Sequence, residues 1–316
     1  MNPAFSVLLL TTLIGAAQGL FIALHALEWL GWAGRGGTGL GFFALGGAAV
    51  LVLTGGGLVA SFFHLGRPER AWRTATMWRT SWLSREVIVL PLFMLGAFVW
   101  TVRHYVFGSG TLWVGAATVA LALALFVCTA MIYASLRFIQ EWASAYTVVN
   151  YTLLGLASGA TAAAALAGVR APALVPPLAQ AALALGFVAL VTRGLSLRRN
   201  ARLVPRSTLQ TAVGIRHPQL RQRSMGFMGG SFNTREFFHG RSAGTLRWVR
   251  WAFVALAFAL PMAGLAGVAW RGFGDVANQW LLLTVALVQM GGLLAERWFF
   301  FAQANHPQNL YYQAVS

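Results

Sequence analysis

The sequence predicts an all-α integral membrane protein, a bundle of eight transmembrane helices, and three observations carry that prediction. Hydrophobic residues make up 58% of the 316 and charged residues 9%, with a mean hydropathy of +0.67. No soluble domain of this size needs that much apolar side chain. Eight apolar runs each reach the length of about 20 residues that a helix needs to cross a hydrocarbon core of roughly 30 Å. Segments of about ten residues with alternating polarity, the mark of a membrane β-barrel, are absent from the sequence.

The first run, about 5–31, continues past Gln18 to Trp32 and lacks a basic start, so it reads as an uncleaved span rather than a signal peptide. The second, 38–64, carries Gly55-Gly56-Gly57 and closes on His64. The third, 85–107, opens with Glu86 and holds Pro91; the fourth is 112–136. The fifth, 146–168, holds the Gly155-x-x-x-Gly159 pair, and the sixth is 174–195. The seventh, 247–270, holds Pro261, and the eighth is 276–301. The small residues predict close helix approach, and the two prolines predict kinks. Most of the thirteen tryptophans mark span ends, Trp29, Trp100, Trp113, Trp142 and Trp270 among them, as an interfacial aromatic belt does.

All 23 basic residues are arginine, and the formal net charge is +16. With eight spans, 19 of the arginines fall on the side that also holds both termini, and only Arg35, Arg103, Arg170 and Arg271 fall on the other. The positive-inside rule assigns the arginine-rich side, and therefore both termini, to the cytoplasm. Cys128 is the single cysteine and lies inside an apolar span. An iron–sulfur cluster takes about four thiolates, so no such cluster is expected in this chain.

Two polar regions interrupt the apolar pattern. The connection between spans six and seven, 196–246, is arginine-rich in its first half and reads SMGFMGGSFNTREFFHG (Ser224 to Gly240) in its second. A basic loop of this kind suits anionic lipid, whereas glycines and phenylalanines interleaved with Arg235, Glu236 and His239 suit a docking surface for a soluble partner. No nucleic-acid-binding module surrounds the charge, so no nucleic-acid partner is expected.

The second region is Ala60 to Glu86, which gathers His64, five arginines, three tryptophans and two glutamates between two apolar runs. Ionisable groups near hydrocarbon need partners or water, which makes the tract a site candidate. Pro68 and Glu69 suit a first helical turn, and a short helix lying in the interface is expected after them. His64 closes one span and Glu86 opens the next, so both lie at similar depth on one face, with Arg67 and Arg70 crowding the same mouth. An imidazole, a carboxylate and arginines around an apolar groove suit a quinone headgroup and its proton transfers. Interfacial residues satisfied by arginine or lipid headgroups would show the same spacing. His25 and His104 fall at equal depth near the other face, as paired haem ligands do, but both sit close to span ends, and no haem is expected.

The tract HLGRPERAW, followed by LSRE, resembles the membrane anchor subunits of dimethyl sulfoxide reductase-type complexes. The resemblance implies an eight-span protein that binds quinone (ubiquinone or menaquinone) without haem, beside an iron–sulfur subunit and a molybdopterin catalytic subunit. It also implies quinone-site roles for His64, Arg70 and Glu86, and Gly66, Arg67 and Ser84 of the same motifs are expected beside them. The segments GFMGGSFNTREFFHG and AERWFFFAQANHPQNLYY resemble the branch that anchors a cytoplasmic sulfite-oxidising molybdoenzyme. The expectation is therefore a multi-pass anchor in the bacterial cytoplasmic (inner) membrane that passes electrons from sulfite oxidation to quinone, with catalytic partners on the cytoplasmic side. The alternatives are a quinol-oxidising anchor that serves a reductase and, from another class, a secondary transporter. A transporter would show repeats with broken helices and polar groups at mid-membrane, whereas here the charges gather at span ends.

Overall fold

The computed structural model describes residues 1–2, 4–32, 41–63, 65–108, 111–221, 223, 237–271 and 276–311, and the described residues are helical with short connections. The helices are α1 (Phe5–Trp29), α2 (Gly41–Phe62), α3 (Trp82–Phe107), α4 (Leu112–Ala134), α5 (Ala145–Arg170), α6 (Val175–Asn200), the short α7 (Leu209–Val213), α8 (Ala243–Val254), α9 (Leu260–Arg271) and α10 (Val276–Ala302). A π-helical turn, Ala255–Ala259, joins α8 to α9, so that among the described residues eight helices are long and apolar enough to cross a membrane. Each is close to an expected span, although α6 continues to Asn200 and α8 begins at Ala243, inside the stretch expected as loop.

The central pair is α1 with α5. These are the most buried spans; α2 and α4 flank α1, α6 flanks α5, α3 packs on α2 and α4, and α10 closes against α5. Small residues determine this crossing. A Cβ at Gly19 would overlap the Gly155 backbone, and a Cβ at Gly159 would overlap the Gly19 backbone. The expected Gly155/Gly159 approach is therefore matched by Gly15-x-x-x-Gly19 on α1. The Gly55-Gly56-Gly57 run divides differently: Gly57 abuts Ile14, while Gly55 faces open space.

The two prolines act unequally. Pro91 lies within a continuous α3. Pro261 follows the π turn, and it has no N–H to donate to the carbonyl four residues back. That carbonyl, Ala257 O, instead accepts from the Gln289 amide of α10 at 3.4 Å. A neighbouring helix thus satisfies the freed backbone group, as hydrocarbon surroundings demand.

The aromatic belt holds for Trp29, Trp113, Trp248, Trp251, Trp270 and Trp280, all exposed on the bundle. Trp100 and Trp142 depart from it. Both are buried, Trp100 donates to Glu28 and Trp142 donates to Phe300 O at 3.0 Å. An indole N–H in a packed interior needs an acceptor, and both have found one.

Glu28 is the hub of a buried network at the face where α1 and α3 end. The Trp100 indole donates to its Oε2 at 2.7 Å, His25 Nδ1 lies 3.0 Å from the same oxygen, and His104 Nε2 faces Oε1 at 3.2 Å. Phe43 stacks on the His104 ring at 4.9 Å. The two histidines at equal depth are thus joined through a carboxylate from their own bundle. Removing one partner of such a buried set leaves the others uncompensated, so Glu28→Ala is expected to cost about 3 kcal/mol or more. A thermal midpoint in detergent equal to the wild type's would contradict that role.

Candidate functional site

At the opposite, arginine-rich face, α2 ends, a 3₁₀ helix (Pro68–Met77) lies across the bundle, and α3 begins. The expected short helix is present, with proline in its first turn. Ser81 then caps α3, its hydroxyl accepting from Ser84 N at 3.3 Å. Arg85 fixes the junction: its guanidinium donates to Trp78 O and Arg79 O, each at 2.9 Å, and stacks 4.1 Å over Trp82. These contacts fix the turn that joins the 3₁₀ helix to α3.

Between them lies an apolar groove of about 250 Å³. Its walls come from α1 (Leu10), α2 (Leu58, Phe62), the 3₁₀ helix (Ala71, Trp72) and α3 (Val87, Leu90), and Glu86 is the carboxylate among them. Glu86 is 8% exposed, and the Thr129 hydroxyl of α4 donates a hydrogen bond to its Oε1. An apolar slot with a few placed polar groups is the usual form of a small-molecule site.

The expected site residues separate here. Glu86 lines the groove, and Ser84 is buried one turn from the cap. Gly66, Arg67 and Arg70 are exposed, and Arg70 pairs with the neighbouring Glu69 at 3.8 Å. His64 lies outside the described residues; Leu65, beside it, lines the groove. Residues outside the motif complete the surroundings: Leu10 of α1 and Thr129 of α4, while Trp72, the last residue of the motif, closes the groove from the 3₁₀ helix. Thr129 carries the one legible signal, a hydroxyl in an apolar span, but its own sequence does not pair it with Glu86.

Behind Glu86 the helices enclose further polar side chains. Glu296 on α10 is ion-paired to Arg193 on α6 (Nε to Oε1, 2.8 Å) and faces Arg297 (Nη1 to Oε2, 3.4 Å). The Arg297 guanidinium lies 3.6 Å over the Tyr151 ring. Arg193 and Arg297 therefore sit inside the bundle rather than among the loop charges, where spacing had put them; most of the arginine asymmetry lies elsewhere and is untouched.

The same face carries an ordered cap. Arg199 donates to Gln140 O at 3.1 Å, Asn305 to Glu141 Oε1 at 3.0 Å and Asn309 to Phe237 O at 3.2 Å. These bonds tie the 4–5 connection, the two ends of the long loop and the C-terminal segment together; residues 224–236, with Arg235 and Glu236, lie outside the described residues. Phe237 stacks on His306 at 4.0 Å, and His239 faces Trp298 at 6.3 Å. Burial, followed by the positive charge of the N-terminal ammonium group, holds both imidazoles below the usual histidine range. The folded cap thus prefers them neutral. Its contribution is complete above the unfolded value near 6.5 and is lost as pH falls through the lowered folded values. Amide hydrogen exchange of residues 303–311, corrected for intrinsic rate, is expected to accelerate between pH 7.5 and 5.5; equal protection at both would refute this.

Comparison with known proteins matches this architecture. The family model described as DMSO reductase anchor subunit (DmsC) covers residues 1–215. A sulfite dehydrogenase subunit of Allochromatium vinosum is 48% identical, over 100% of this chain and 100% of that protein.

The chain belongs to the DMSO reductase anchor subunit family. The family match contains the groove, Glu86, Thr129 and the Arg193 pair's first member. The full-length match adds α8 to α10 and the cap, so the region beyond residue 215 is shared with the A. vinosum protein as well. This chain is a multi-pass membrane anchor subunit and a homologue of that protein.

Proposed function

We propose that this subunit anchors a sulfite-oxidising molybdoenzyme at the cytoplasmic face of the inner membrane and delivers its electrons to a quinone held in the groove beside Glu86. The observation that carries the reading is the groove itself. It is apolar, it is bounded by an interfacial helix, and a buried carboxylate stands in its wall. Apolar walls suit the ring and the isoprenoid tail, and the carboxyl group supplies proton chemistry at a quinone oxygen. The full-length likeness to a sulfite dehydrogenase subunit favours sulfite as the electron source over a quinol-oxidising reductase. An iron–sulfur subunit would dock on the cap and a molybdopterin subunit on it, with the exposed Arg67 and Arg70 free for that partner or for lipid headgroups. The arginine excess on this face supports its cytoplasmic assignment.

A groove-filling variant tests the reading. Val87→Trp in the purified complex is expected to abolish quenching of a fluorescent hydroxyquinoline N-oxide quinone analogue, while molybdenum- and iron-containing partners still copurify. Retained analogue binding would remove the groove as the quinone site. Absence of molybdenum and iron from the wild-type preparation would remove the anchor role.

A further inference from the structure

Four spaces follow one another from the groove into the bundle, each sharing a wall residue with the next. Glu86 lines both the groove and a small cavity behind it, whose walls include Gln18, Thr129, Tyr151 and Arg297. Tyr151 and Arg297 also line a second small cavity, shared with Asn150, Arg193, Glu296 and Glu141. Glu141, partly exposed, lines in turn an open depression of about 440 Å³ in the cap. Each small cavity has about 10 Å³ of space, room for roughly one water molecule.

Both cavities set polar side chains among apolar ones: Gln18, Thr129, Tyr151 and Arg297 stand beside Leu10, Ile14 and Phe126 in the first, and Asn150, Arg193 and Glu296 beside Phe300 in the second. Gln18 is 1% exposed, and its Nε2 has no hydrogen-bond partner among the described residues; the same holds for Arg193 Nη2 and, at the cap end, Gln303 Nε2. Unpaired donors of this kind in a bundle interior are costly, and ordered water is their usual partner. An ion triad that served only to fix helix packing would need Arg193, Glu296 and Arg297. It would not need an amide on α1 or a phenol in the wall of the cavity between Glu86 and the triad.

We infer that these cavities form a water-linked proton path from the cap, at Glu141, past Glu296, Arg297 and Tyr151 to Glu86, separate from the groove through which the quinone enters. The inference rests on the quinone reading of the groove. Quinone reduction takes two electrons from the partner's iron–sulfur centre and two protons. Each new O–H bond on the quinone breaks one at the Glu86 carboxyl, which is reprotonated from the cavity behind it, and bulk water at the cap is the final proton source. A separate path lets the quinone fill the groove without blocking proton supply.

Gln18→Leu and Tyr151→Phe test the path, since each removes polarity from a cavity wall without breaking an ion pair. In the purified complex, each is expected to lower decylubiquinone reduction by sulfite about tenfold and to raise its solvent deuterium isotope effect. Dye-linked sulfite oxidation and binding of the hydroxyquinoline N-oxide analogue should be unchanged. Wild-type turnover and isotope effect in both variants and in their combination would overturn the path. So would analogue binding that weakens in step with turnover, because the residues would then belong to the ligand site. Analogue binding that survives Val87→Trp would instead sink the quinone reading, and the path with it.

Discussion

Glu86→Gln is expected to lower quinone-coupled turnover about 10²-fold or more, with dye-linked oxidation by the soluble partners intact. The substitution separates two roles that the geometry allows for this carboxyl group. If Glu86 serves only to tie α3 to α4, glutamine performs the task, since its amide oxygen accepts from Thr129 as the carboxylate oxygen does. The volume is conserved, so the groove wall beside Val87 and Leu90 keeps its shape. What glutamine cannot do is release and regain a proton at physiological pH. The expected result is therefore an unchanged thermal midpoint with lost turnover to quinone. Normal turnover would leave the residue a structural one. Loss of both quinone-coupled and dye-linked activity would mean that the variant had damaged the complex rather than the proton step.

The second large effect is on assembly of the bundle. Gly159→Leu is expected to abolish the folded subunit in membranes, because even a Cβ at this position overlaps the Gly19 backbone. The clash cannot be relieved by a side-chain rotation, since the obstructing atoms are main chain. Separating α1 from α5 would open the centre of the bundle, where both Gln18 and Tyr151 line the cavity behind Glu86. Without an aqueous driving force between helices, close packing is the main attraction that such an opening removes. Gly55→Leu is the control: its Cβ meets open space, and the variant should accumulate and resist proteolysis like the wild type. Equal accumulation of both variants would show that the α1–α5 approach is not what holds the subunit together.

The two glycine motifs illustrate how far the sequence could be read. Gly155/Gly159 and Gly55-Gly56-Gly57 carry the same compositional signal, yet only the first meets a backbone along its length. The reason is that close approach is a property of two helices, and one strand of sequence records only half of it. Trp100 and Trp142 show the same limit. A tryptophan near a span end fits the interface by position, but whether its indole turns to lipid or to a buried acceptor depends on what packs against it. Arg193 and Arg297 were legible as charges at span ends; that Glu296, beside Arg297 in sequence, also pairs with Arg193 comes from the packing of α6, and hydropathy averages pass over it.

The sequence by itself determined the class, the number of spans and the short helix after Pro68, and it singled out the tract that ends at Glu86 as the site candidate. These follow from length, hydropathy and turn chemistry, which act locally along the chain. Tertiary structure decided which of the tract's polar groups face inward. It set Glu86 against Thr129 in an apolar groove, left Arg67 and Arg70 outside, and placed Gln18, Tyr151 and Arg297 around a cavity that no stretch of sequence contains. The physical reason is that burial of an ionisable group in a membrane bundle requires partners from other helices, and only the packing of those helices supplies them.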